Sequence, residues 1–118
     1  MTSERANASW DEALALYDSL VGPKWQHIPR FRDLVALIAI SPAASGLTAV
    51  TSHETLIVSP YTRHPDWFEG RHVRVHPLAD GTIRVERHPE RPDRSRAENW
   101  TLSPEDARHK ILELMTGL

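Results

Sequence analysis

A chain of 118 residues has room for one compact domain of the usual size of roughly 100–150 residues, not for two. With 40% hydrophobic and 25% charged residues, it matches folded globular proteins rather than disordered tails. A net charge of −2 argues against a protein built chiefly to bind phosphate backbones non-specifically.

The sequence holds no cysteine, which excludes a disulfide-stapled scaffold, a thiolate zinc centre, a cysteine nucleophile and an iron–sulfur cluster. What stands out instead is seven His and a basic set of 12 Arg against two Lys. The first ten residues lack the basic and then apolar stretches of a secretory signal. The longest apolar-rich run, 34–40, is far shorter than the roughly 20 residues that span a bilayer. A cytoplasmic chain with no membrane partner is the expectation.

Residues 1–8 are small and polar and read as a disordered lead-in, so the single α+β domain is expected over 9–118. Ser9, with Glu12 three residues on, has the form of a capping box. Behind it Trp10, Ala13, Leu14, Tyr17, Leu20 and Val21 repeat at helical spacing, and Gly22 and Pro23 stop the run. The spacing predicts a helix over 10–21. A second helix starts at Pro29, with Phe31, Leu34, Val35 and Ile38 on one face. Residues 34–40 would also suit a buried strand, but Arg30, Arg32 and Asp33 on the opposite face favour helix through about Leu37. The period then changes to two: 47–51 and 55–59 form a hairpin around Ser52, His53 and Glu54. In 61–70, Pro65 at a helix start and Gly70 at its end predict a single helical turn presenting Trp67 and Phe68.

The clearest hairpin joins 71–77 to 82–88. A two-residue Asp80-Gly81 turn would set Val75 against Glu86. A three-residue loop, Ala79-Asp80-Gly81, sets Val75 against Val85 and Arg74 against Glu86, and side-chain alternation favours it. Val73, Val75, Ile83 and Val85 then face the core. His72, Arg74, His76, Arg84, Glu86 and His88 face outward, with His72 beside His88 and His76 beside Arg84. Residues 89–97 are charged and punctuated by proline, a loop. Trp100 and Leu102 alternate with Asn99 and Thr101 in a short fifth strand. Ser103 caps a last helix with Pro104 at its first position, and Ala107, Ile111, Leu114, Met115 and Leu118 form its apolar stripe.

The expected architecture is therefore α+β: two N-terminal helices, a four- to five-stranded antiparallel meander, and a C-terminal helix, with all helices on one sheet face. The opposite face carries the His and Arg residues. Its arginines suit an anion or an acidic partner, and histidine suits proton exchange near neutral pH. His72 and His76 would lie roughly 13 Å apart on one strand, too far to share an ion. No His-Glu-x-x-His pattern, phosphate loop or nucleophile elbow is present. No metal, cofactor or catalytic residue is therefore assigned, and an enzyme is the less favoured class.

The functional expectation is a small non-enzymatic module that binds another protein, similar in general layout to accessory, chaperone-like and toxin-neutralising α+β proteins. Its binding residues would be Trp67, Phe68, His72, Arg74, His76, Arg84, Glu86 and His88. Pairing of two copies through a sheet edge or face is compatible with this layout. The alternatives are a small enzyme or ligand-binding protein, with His64, His72 or His88 as acid–base and Arg74 or Arg84 holding an anion, and a nucleic-acid-associated regulator using 87–96. Over 86–98 the charges of Glu86, Glu90, Asp93 and Glu98 balance those of the four arginines, so nucleic acid is the weakest of the partners.

Overall fold

The computed structural model describes residues 2–90 and 97–118. Residues 91–96 of the charged loop, with Arg91, Arg94 and Arg96, lie outside the described residues, as does Met1. The described residues form α1 (Thr2–Ser19), α2 (Ile28–Ala39), β1 (Thr48–Ser52), β2 (Thr55–Ser59), the single turn α3 (Asp66–Glu69), β3 (His72–Pro77), β4 (Ile83–His88), β5 (Glu98–Leu102) and α4 (Pro104–Met115). The strands make one sheet in the order β1-β2-β3-β4-β5, each antiparallel to the next. The α+β meander expected from the sequence is the observed fold.

The N-terminal helix departs from the expectation. It begins at Thr2, so residues 2–8 of the stretch read as a disordered lead-in are helical backbone and Ser9 is not the helix cap. No glycine or proline precedes Ser9, and residues such as Glu4, Arg5, Ala6 and Ala8 are good helix formers, so nothing in the chain stops the helix at that point. The Ser9 hydroxyl instead accepts a hydrogen bond from the Ala49 N–H at 2.9 Å. The second helix settles 34–40 as helix through Ala39, burying Ile28, Phe31, Leu34, Val35 and Ile38 along one face. Ile40, just past its end, is left exposed.

One face of the sheet carries the core. Ala49, Leu56, Val58, Val73, Val75, Ile83 and Val85 pack against Trp10, Ala13 and Tyr17 of α1, the buried stripe of α2, and Ala107, Ile111 and Met115 of α4. Tyr17 meets Phe31 edge-on at 5.1 Å between ring centroids, and its hydroxyl donates to the Glu54 carbonyl at 3.1 Å. Burial, and then the nearby Glu54 charge, push the Tyr17 phenol well above its ordinary range. Ser103 caps α4 by accepting from the Asp106 N–H at 3.2 Å.

Both hairpins follow from their turn residues. Ser52 pairs with Thr55, leaving a two-residue turn in which His53 takes a φ of 56°, a region that His enters more readily than β-branched residues. The β3–β4 loop is the three-residue form. Gly81 has a φ of 89°, and the Leu78 N–H donates to the Thr82 carbonyl at 3.0 Å. Hydrogen-bonded and non-hydrogen-bonded pairs alternate along an antiparallel ladder. The Leu78–Thr82 bond therefore fixes which backbone groups point to which neighbour across the whole sheet. Counting out through the observed registers, the outward groups are those of Leu47, Ala49 and Thr51 on the β1 side and of Asn99 and Thr101 on the β5 side. On the β1 side α1 meets the first two residues: Ser9 takes the Ala49 N–H and the Trp10 indole N–H donates to the Leu47 carbonyl at 3.0 Å.

Candidate functional site

The residues singled out from the sequence assemble on the sheet face turned away from the helices. The register pairs His72 with His88, Arg74 with Glu86 and His76 with Arg84, as the alternation predicts. The side chains then depart from simple cross-strand pairing. Glu86 is the hub: one carboxylate oxygen accepts from His88 Nε2 at 2.8 Å, and the other lies 3.0 Å from Arg84 Nε and 3.1 Å from His76 Nε2. The His76 contact is an ion-pair distance without hydrogen-bond alignment. The other His76 nitrogen, Nδ1, sits 2.9 Å from the Thr55 hydroxyl.

Arg74 turns away from Glu86. Its Nε–H donates along its own strand to His72 Nε2 at 3.0 Å, while His72 Nδ1 lies 2.8 Å from the Gly70 carbonyl. A carbonyl can only accept and the arginine can only donate, so His72 is held as the neutral tautomer with its proton on Nδ1. His72 lies on the face turned away from the core, as expected, but it is buried there: it is 2% exposed, stacked flat on His88 with centroids 4.6 Å apart and planes 3° from parallel.

Glu86 is 17% exposed. Burial raises its carboxyl, but the His88 hydrogen bond and the charges of His76, His88 and Arg84 together outweigh that cost and hold it below the usual carboxylate range. Arg84, with 47% of its side chain exposed, is the part of the network that reaches solvent. Among the described residues, no group of three His, Asp or Glu side chains is arranged to hold a metal ion.

The connector before β3 lies against β2. Ile57, whose register with Arg74 puts it on this side, is buried to 3% exposure. Trp67 and Phe68 pack edge to face at 5.0 Å, and His64 lies 5.7 Å from the first ring and 5.3 Å from the second. Trp67 and Phe68 belong to α3, which starts after Pro65 and ends at Gly70, and His64 immediately precedes it. Gly70 closes that turn for a steric reason. Its backbone is extended, but a Cβ there would stand 2.2 Å from Cε2 of Tyr61.

Sequence reasoning did not find the polar tie beside this turn. Arg71 donates to the Tyr61 hydroxyl at 2.9 Å, to Glu90 at 3.0 Å, and through Nε and Nη2 to the Leu118 carbonyl at 3.2 and 2.8 Å. The Tyr61 hydroxyl also donates to Glu90. That hydrogen bond comes first in lowering the Glu90 carboxyl and in raising the Tyr61 phenol. No periodicity signals a contact spanning 47 residues. Beside it a depression of about 340 Å³ is lined in part by Arg71, Arg87, His88 and Glu113.

The chain matches no family model, no curated protein and no solved structure. No helix is long and apolar enough to cross a membrane among the described residues.

Proposed function

We propose that the chain is a cytoplasmic, non-catalytic protein-binding module of the accessory, chaperone-like or toxin-neutralising kind. It takes its partner on the helix-free sheet face, with Trp67 and Phe68 as the anchor and Arg74 and Arg84 as polar contacts beside it. The observation that carries this reading is the placement of the aromatic turn. Trp67 and Phe68 are only half-buried and stand apart from the residues that pack into the core. Two large rings that add nothing to the core and hold one another at the surface match the residue types that dominate protein interfaces. The catalytic alternative has less support, because both nitrogens of His72 are engaged and the Glu86 carboxylate faces three cationic or protonatable partners.

The test compares the natural chain with a Trp67→Ala/Phe68→Ala variant and with Arg84→Ala, each checked by circular dichroism for an unchanged fold. In affinity capture followed by mass spectrometry, a partner held by the natural chain is expected to weaken by about 30-fold or more with the aromatic variant. Capture that is equal for the natural chain and the folded aromatic variant sinks the reading.

A further inference from the structure

We propose that two copies of this chain pair through their β5 edges, antiparallel about a two-fold axis at Trp100, to make one continuous sheet. The inference stands on the sheet's edges and is independent of the aromatic turn.

A sheet edge presents unpaired N–H and C=O groups, and folded proteins close or disguise it. This fold treats its two edges differently. At β1 the Leu47 carbonyl and the Ala49 N–H are met by the Trp10 indole and the Ser9 hydroxyl, which leaves Thr51, at the hairpin end, as the outward residue with neither group met among the described hydrogen bonds. At β5 the outward groups are those of Asn99 and Thr101, and among the described residues none of the hydrogen bonds outside the ladder reaches them. The edge also lacks the usual disguises: residues 99–102 contain no lysine, no proline and no charge, and β5 pairs with β4 along its whole length without a bulge.

The register points to a second copy as the occupant. Asn99 and Thr101 flank Trp100 symmetrically, so a two-fold axis at Trp100 sets Asn99 of one copy opposite Thr101 of the other. Those are the residues whose backbones point outward, and each such pair can exchange both of its hydrogen bonds. The same axis sets the Asn99 carboxamide beside the Thr101 hydroxyl on the helix-free face. It places Glu98 opposite Leu102 of the second copy rather than opposite another carboxylate, and each Glu98 keeps its own Arg87 at 2.6 Å. The half-buried Trp100 ring, covered on one side by the Lys110 ammonium at 4.4 Å, meets its own counterpart. The uncharged stretch 99–102 offers nothing that would select a charged foreign strand in preference, and the charge of β5, Glu98, is already met by Arg87. A two-fold contact uses the same edge of both copies, so the pairing ends at two, and α1 occupies the Leu47 and Ala49 groups of the other edge.

The experiment measures the mass of the intact chain by sedimentation equilibrium from about 1 μM to about 1 mM, a range that registers even weak specific pairing. Amide hydrogen exchange is followed over the same series. The expected result is a reversible dimer whose formation slows exchange at Asn99 and Thr101, while the amides of Glu98 and Trp100, already bonded to β4, change little. Thr101→Pro, which removes one outward donor per chain, is expected to weaken pairing by about 30-fold. A chain that stays monomeric throughout overturns the proposal. So does a dimer that leaves Asn99 and Thr101 exchanging freely, which requires no variant to fold. Protection of those two amides that appears only with a different protein assigns the edge to a foreign strand and also overturns it.

Discussion

Glu86 gathers the positive charge of the helix-free face onto one carboxylate, and its energetics follow from that position. Its carboxyl is held low in the folded chain. Between the folded value and the unfolded value of about 4.5, the unfolded chain therefore binds more protons and stability rises with pH. The contribution is complete above about 4.5 and is lost as the pH falls through the folded value. Glu86→Gln is expected to destabilise the fold by about 1.5–3 kcal/mol at neutral pH, the range for hydrogen bonds to a charged group. The difference in urea unfolding free energy between the two chains should narrow below about pH 4.5. A difference that holds constant down to about pH 3 would rule out the carboxylate as its source. At this scale the sequence disclosed neighbours but not contacts. Alternation puts Arg74 opposite Glu86, yet a long side chain has the reach to turn along its own strand, and Arg74 goes to His72.

At the scale of elements, α1 supplies one face of the core and also meets the Leu47 and Ala49 groups of the β1 edge. Ser9→Ala with Trp10→Phe removes both contacts while keeping most of the buried ring. The pair is expected to cost about 2 kcal/mol in denaturant unfolding, near 1 kcal/mol for each hydrogen bond lost. Exchange of the Ala49 amide should quicken, because its acceptor is gone. An unchanged Ala49 rate would mean that the helix does not guard that edge. The helical periodicity of Trp10, Ala13 and Tyr17 was legible, whereas the start of α1 was not: a serine followed by glutamate reads as a cap whether or not the chain before it is already helical. Ser9 acts on β1, a partner 40 residues away, which no local pattern encodes. The β3–β4 hairpin was legible in full because Gly81 and the alternation of valines constrain loop length and register together.

For the whole molecule, three helices converge on a single sheet face, and Ile111 lies fully buried where α4 closes the core. Ile111→Ala is expected to cost about 2–5 kcal/mol. The unfolding transitions seen by tryptophan fluorescence and by circular dichroism should coincide in the natural chain and in the variant. Separate transitions would show that α4 and the sheet melt independently, against the shared core. Composition, the change of period from helical to alternating near Leu47, and the proline and glycine punctuation by themselves determined the class of fold, the strand order and the inward set of residues, because each is a local property tied to burial. Tertiary structure alone decided that His72 is buried against His88, that the Arg71 side chain ties Tyr61 and Glu90 to the C-terminal turn, and that α1 meets the Leu47 and Ala49 groups of one sheet edge. Those contacts join residues far apart in the chain through side chains whose direction is set by the packing around them.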